Sequence, residues 1–209
     1  MGGAKIRTKL KIAFSIVILL LVALSAISIQ RVQAINSQLA IVNDVNSVKQ
    51  RFAINFRGSV HNRAIYLRDV TLVPLGELDK SVAEIDHEAE KYVQSAGPLD
   101  KMIADGAQVD DTERSVLQAI KETEGRALPL VQQVIAKQRA GDLAGAHVLL
   151  MDQARPQFIT WLKQINQFID HEEAKNKEVG AATRKAANEF TLMTALLCGA
   201  ALLVGAGMA

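Results

Sequence analysis

The sequence predicts an all-α protein: an antiparallel up-down-up-down four-helix bundle set between two transmembrane helices. Three observations carry that reading. Two runs without a charged residue, 12–29 and 190–209, lie near the ends of the chain, and about 18 to 20 such residues cross a bilayer as a helix. Between them apolar residues recur at threes and fours, the period of a helix with one buried face. Aromatics make up 4% of the 209 residues and there are 4 prolines, a composition that favours helices over a sandwich or barrel.

The charge is distributed unevenly. Of the 24 basic residues, four (Lys5, Arg7, Lys9 and Lys11) precede the first apolar run with no acid among them, which leaves 20 basic against 22 acidic residues in the remainder, a net of −2. The basic excess places Met1 in the cytoplasm by the positive-inside rule. It also gives a domain plan: residues 1–11 as a cytoplasmic N-terminus, 12–29 as transmembrane helix 1, 30–189 as a periplasmic ligand-binding bundle, and 190–209 as transmembrane helix 2. A cleaved signal peptide ending near Val32-Gln33-Ala34 is the competing reading of the first run, but helical periodicity continues from it without a turn. A bundle with a net of −2 lacks the basic footprint of a nucleic-acid binder. Cys198, the single cysteine, forms no intrachain disulfide, so helix packing alone holds the fold. The second apolar run is still unanchored by charge at Ala209, which suggests a fragment of a longer membrane protein.

Helix one continues from residue 30 to about Val73, with Ile35, Leu39, Val42, Val45, Val48, Phe52 and Phe56 at helical spacing. Pro74-Leu75-Gly76 breaks it. Helix two carries Val82, Ile85, Ala89, Val93, Leu99 and Ile103, with a kink or irregular turn expected at Gly97-Pro98. Asp105-Gly106 ends it, and Asp110, Asp111 or Thr112 can cap helix three. That helix runs from about Glu113 to Ala140 with Val116, Ile120, Ala127, Val131, Val134 and Ile135 inward. Gly141 is a good residue for the position after the C-cap, and Asp142 a good N-cap for helix four. The last helix begins at Leu143, passes through Leu149, Leu150, Phe158, Trp161, Leu162, Ile165 and Phe168, and runs into the second apolar segment.

One stretch of helix one carries chemistry. At about 100° per residue, Arg57, His61 and Arg68 fall within roughly 40° of one another and form a cationic lane. Phe56, Val60 and Leu67 border it on one side and Ile54, Ile65 and Leu72 on the other, so the lane should face a groove or seam. Guanidinium groups partly withdrawn from water prefer planar anions, since their fork binds a carboxylate through two parallel hydrogen bonds. With Pro74 and Gly141 taken as tips of equal height and about 1.5 Å per residue, Arg126 of helix three and Arg155 of helix four fall level with Arg57 and His61. The expected ligand-binding set is Arg57, His61, Arg63, Arg68, Arg126 and Arg155, and the expected ligand a small carboxylate. Asp86-His87-Glu88 and His171-Glu172-Glu173 offer metal-ligand types but not the paired histidines of a helical zinc site. With no phosphate loop or nucleophile elbow either, the sequence supports neither a cofactor nor an enzyme.

The run Arg57-Gly58-Ser59-Val60-His61-Asn62-Arg63-Ala64-Ile65-Tyr66-Leu67-Arg68-Asp69, the turn Arg139-Ala140-Gly141-Asp142, and Ala154-Arg155-Pro156 followed by Trp161 resemble the sensor module of bacterial methyl-accepting chemotaxis proteins. The resemblance covers essentially the whole chain. It implies an inner-membrane homodimer whose first helices pack together, with an amino acid or organic acid held by arginines of helix one. Arg57, His61, Arg63 and Arg68 occupy the comparable part of that helix. A sensor histidine kinase or cyclase with the same bundle, or a structural membrane protein without a ligand, is the alternative.

Overall fold

The computed structural model describes Gly3–Gly106 and Gln108–Met208. Met1 and Gly2, part of the expected cytoplasmic N-terminus, and Ala209, the end of the expected second membrane helix, lie outside the described residues. The described chain is helical: α1 Gly3–Ala40, a π-helical segment Ile41–Asn46, α2 Ser47–Val70, a 3₁₀ turn Leu75–Glu77, α3 Leu78–Ala104, α4 Asp111–Arg139, α5 Leu143–Leu149, a second π segment Leu150–Ala154, and α6 Arg155–Met208. It forms two compact units, one of residues 44–176 and one of the described parts of 1–43 and 177–209.

The smaller unit contains an 18-residue window of mean hydropathy 2.9 in its N-terminal helix and one of 1.5 in its C-terminal helix, neither of them buried. Leu19, Leu21, Leu196 and Leu203 are all exposed. A row of bare leucines on such helices is unfavourable in water and natural in lipid. Within this unit the hydroxyl of Thr183 donates to Gln38 Oε1 at 2.6 Å.

The larger unit is the bundle. Its turns follow the expected chemistry. Asp110 caps α4, its carboxylate accepting from the Glu113 N–H at 2.9 Å while the Glu113 side chain accepts from the Asp110 N–H at 2.7 Å, a reciprocal capping box. Gly141 takes φ +77° after α4, and the Gly141 and Asp142 N–H groups donate to the carbonyls of Gln138 and Lys137, closing a Schellman motif. Asp142 then caps α5 by accepting from the Gly145 N–H at 2.9 Å. A Cβ on Gly145 would clash with that carboxylate, so a side chain there would have to displace the cap. Gly97 and Pro98 lie inside α3, and Pro129 inside α4, without ending either helix.

The core differs from expectation in register. The buried face of α2 is Asn46, Lys49, Ala53, Phe56, Val60, Arg63, Leu67 and Val70, spaced alternately by three and four, the seam spacing of left-handed helix packing. Of the predicted apolar stripe Ile35 to Phe56 only Phe56 is buried, and Leu39 is exposed. The stripe therefore flanks the seam instead of forming it. Val93 is likewise exposed, while Tyr92 beside it faces inward. Tyr92 packs edge-on against Phe56 and Trp161 with ring centroids 5.3 and 5.4 Å away, and Phe158 lies 5.9 Å from Trp161. These contacts lock α2, α3 and α6 together at mid-bundle.

Candidate functional site

A groove of about 370 Å³ opens where α2 faces the second π segment and the start of α6. α2 lends His61, Ile65 and Arg68, and α6 lends Arg155, Phe158 and Leu162. Each set is spaced by threes and fours, so each presents one helix face. The floor is apolar and three cationic or cation-forming side chains stand in its wall. The π segment widens the turn just before Arg155 and offsets the helix face behind it, a distortion common at ligand sites. Asp69, next to Arg68 in the chain, pairs with it at 3.7 Å, both groups exposed. Such a pair contributes about 0–1 kcal/mol and yields readily to a better anion.

The other three expected residues lie elsewhere. Arg57 is exposed, and its Nε donates to Asn166 Oδ1 at 2.5 Å. Arg126 is exposed, donating from Nη2 to Thr123 Oγ1 at 2.8 Å and from Nε to Gln157 Oε1 at 3.3 Å. Arg63 points into the bundle, 4% exposed, with its guanidinium carbon 5.6 Å from the Trp161 ring centre. The expectation that Arg57, His61, Arg126 and Arg155 share one level is therefore corrected. Arg57 is level with Asn166, and Arg155 with Arg68, because the Pro74 and Gly141 tips are not at equal height. Ile54 and Leu72, expected to border a buried lane, are exposed.

Sequence reasoning missed a buried charge cluster at the end of the bundle that holds the α3–α4 turn. The Lys49 ammonium, fully buried, donates to Glu113 Oε1 at 2.6 Å and to the Gln108 carbonyl at 2.7 Å. Lys175 of α6 lies 2.9 Å from Glu113 Oε2 and 3.1 Å from Asp110 Oδ2. His171 contacts the same Asp110 oxygen at 2.8 Å. Glu172 is also fully buried, and neither of its oxygens accepts a hydrogen bond. Burial first, then the hydrogen-bonded and charged Glu113 beside it, pushes the Glu172 carboxyl up to about 8. Burial works against ionisation of Glu113 too, but hydrogen bonds from Glu172, Lys49, Lys175 and the Asp110 N–H outweigh it and hold that carboxyl down to about 2. Two facing carboxyls thus take opposite states and share one proton. The legible signal was the α2 seam: spacing by threes and fours back from Phe56 lands on Ala53 and Lys49.

A four-helix bundle whose first and last helices each carry an apolar run of bilayer length fits a membrane receptor. The chain belongs to the family described as the four helix bundle sensory module for signal transduction, whose model matches residues 3–187. That agrees with the chemoreceptor resemblance carried by residues 57–69. Neither the curated proteins nor the solved structures contain a match to this chain.

Proposed function

We propose that this module is the sensing part of a bacterial chemoreceptor, set in the inner membrane with its bundle in the periplasm, and that the groove of His61, Arg68 and Arg155 takes a small di- or tricarboxylate. The observation that carries the reading is the convergence of these three side chains from two helices on one apolar-floored groove. Two arginines on different helices can each fork a carboxylate, and His61 adds a third donor. An anion held between α2 and α6 changes the free energy of any motion that moves one past the other, provided that it binds the two arrangements unequally. The protein has no catalytic role in this reading. A homodimer is supported by bare apolar side chains on α2 and just beyond it: Ile54 and Leu72 are exposed, and a Cβ on Gly58 would meet nothing within 4 Å, leaving room for a second copy.

Calorimetry on the full chain in lipid nanodiscs, over succinate, malate, citrate and the amino acids, tests the site. One di- or tricarboxylate should bind, and Arg155→Ala should weaken it by about 1.5–3 kcal/mol, the scale of a lost charged hydrogen bond. Arg57→Ala, whose side chain bonds Asn166 away from the groove, should leave affinity within about twofold. No heat with any acid, or equal affinity in Arg155→Ala, refutes the assignment.

A further inference from the structure

The charge cluster at the α3–α4 end of the bundle ties three elements together: α2 through Lys49, the start of α4 through Asp110 and Glu113, and α6 through His171, Glu172 and Lys175. It shares no residue with the groove of His61, Arg68 and Arg155. α6 runs on past it to Met208.

The hydrogen-bonding capacity of its two buried carboxyls is used unequally. Glu113 is saturated: Oε1 accepts from Lys49 at 2.6 Å, while Oε2 accepts from the Asp110 N–H at 2.7 Å and lies 2.9 Å from the Lys175 ammonium. Glu172 is as deeply buried, yet neither of its oxygens accepts a hydrogen bond, and Lys175 stands 3.9 Å from its Oε1. An ionised Glu172 in that position is an uncompensated charge beside a second carboxylate. A neutral one donates its O–H to Glu113 and needs no cation.

Lys175 is the group that can answer a change in Glu172. Its side chain is 23% exposed, whereas that of Lys49 is fully buried and fixed by the Gln108 carbonyl at 2.7 Å as well as by Glu113. The Lys175 ammonium reaches from α6 to α4, where it also lies 3.1 Å from Asp110 Oδ2. Glu172 is three residues before it on the same helix, and side chains so spaced are neighbours. A movement of about 1 Å turns the 3.9 Å separation into a charge-assisted hydrogen bond, and it draws the ammonium off Asp110 and Glu113. His171, 2.8 Å from Asp110 Oδ2, is then the contact left between α6 and the cap of α4 in this cluster.

We infer that the cluster is a proton-operated clamp: Glu172 binds a proton and leaves Lys175 free to tie α6 to α4, and loss of the proton turns Lys175 back onto its own helix and releases the tie. The module then has a second input, the pH at this end of the bundle, beside a ligand in the groove. That this is periplasmic pH rests on the membrane placement proposed above; the clamp itself does not. Burial and Glu113 push the Glu172 carboxyl up to about 8, so the change falls in mildly alkaline solution. Burial works against the Lys175 ammonium, but Glu113, Glu172 and Asp110 hold it charged over that range.

Two measurements on the full chain in nanodiscs test the clamp. Between pH 6 and pH 9, where ordinary carboxylates are ionised and lysines charged, infrared difference spectra of the parent should lose one protonated-carboxyl C=O band with a midpoint of about 8. Glu172→Gln should lose none. Spin labels at Thr112→Cys and Ala174→Cys, exposed positions on α4 and α6, in a Cys198→Ser background, read the tie itself. The parent's distance distribution should broaden as pH rises through the same midpoint. Glu172→Gln should keep the pH 6 distribution at both ends of the range, and Lys175→Met should show the pH 9 distribution at both. Absence of the band in the parent, its survival in Glu172→Gln, a parent distance that ignores pH, or Lys175→Met with the parent's pH 6 distribution overturns the clamp. So does a distance that still follows pH in Glu172→Gln, which would make His171 the responding group. Both faces of a nanodisc meet one buffer and no ligand is added, so failure of the membrane placement or of the groove leaves these outcomes unchanged.

Discussion

Replacing Glu172 by glutamine should change how stability depends on pH more than how it depends on anything else. In the folded chain the carboxyl titrates at about 8 because burial and the Glu113 carboxylate oppose its charge, whereas an unfolded glutamate titrates near about 4.3. Between those values the folded state keeps a proton that the unfolded state has lost. The contribution of this carboxyl to stability is therefore greatest below the lower value and falls as pH rises toward the upper one. The limiting slope is about 1.4 kcal/mol per pH unit. Sharing of the proton with Glu113 and the nearby ammonium groups of Lys49 and Lys175 reduce the loss, and we expect about 2 kcal/mol between pH 5 and pH 8.5. The amide of Glu172→Gln cannot ionise and can donate to Glu113, so the variant should lose none of this. At pH 8.5 it should be the more stable protein by about 2 kcal/mol, a rise in Tm of about 4–8 °C for a chain of this size. Trp161 is fully buried in the same unit, so its fluorescence follows unfolding of the full chain in nanodiscs. Below about pH 4.5 both proteins should weaken together, since Glu113 and Asp110 are held below their ordinary values and lose that stabilisation on protonation. Parallel profiles for variant and parent above pH 5, or a variant weaker at pH 8.5, would refute the shared-proton account.

Lys49→Met removes the ammonium but leaves the buried Glu113 with only Lys175 as counter-charge, which should cost about 3–5 kcal/mol in denaturant melts at pH 7, whereas Lys49→Met combined with Glu113→Leu should recover most of that loss. A double variant no more stable than Lys49→Met alone would contradict the pairing. Gly141→Ala forces a side chain into φ +77° and should cost about 1 kcal/mol, read as a lower Tm, while Gly58→Ala, whose Cβ meets nothing within the protomer, should raise Tm slightly if no second copy packs there and lower it if one does.

The fold was legible because its determinants are local. Helix boundaries follow from Pro74, Gly106, Asp110, Gly141 and Asp142, each of which acts on backbone within a few residues of itself, and the two apolar runs need only be counted. The π segment at Ile41–Asn46 was not legible, since it inserts a wider turn without a proline or glycine to mark it, while Leu150–Ala154 is marked only by Pro156 just beyond it, a residue equally at home in the first turn of a helix. Half of the expected site converged for a physical reason: His61, Arg68 and Arg155 lie on helix faces that turn toward one another. Arg57 failed to join them because height along a rod was taken from turns assumed level, and a difference of a few residues in tip height moves a partner by more than a helical turn, whereas Arg126 reaches Gln157, two residues from Arg155, and stays out because of the helix face it occupies.

The α2 seam shows why polarity misled the register. It carries Asn46, Lys49 and Arg63 at positions where apolar residues are expected, so the neighbouring all-apolar stripe gave the stronger periodic signal although it is only partly covered. Charges on a buried seam weaken folding unless each is matched. Lys49 is matched within the chain: Glu113 and the Gln108 carbonyl accept its hydrogen bonds, and the cluster around it closes with Asp110 and Lys175. Arg63, two heptads further on, faces an open cleft and leaves its Nε unused. The same helix thus holds one cation that is internally satisfied and one that is not. A merely structural role accounts for the first, since replacing both partners with apolar residues would preserve the fold. The second has no such partner for its Nε, and its packing on the Trp161 face offsets only part of the cost of burying it.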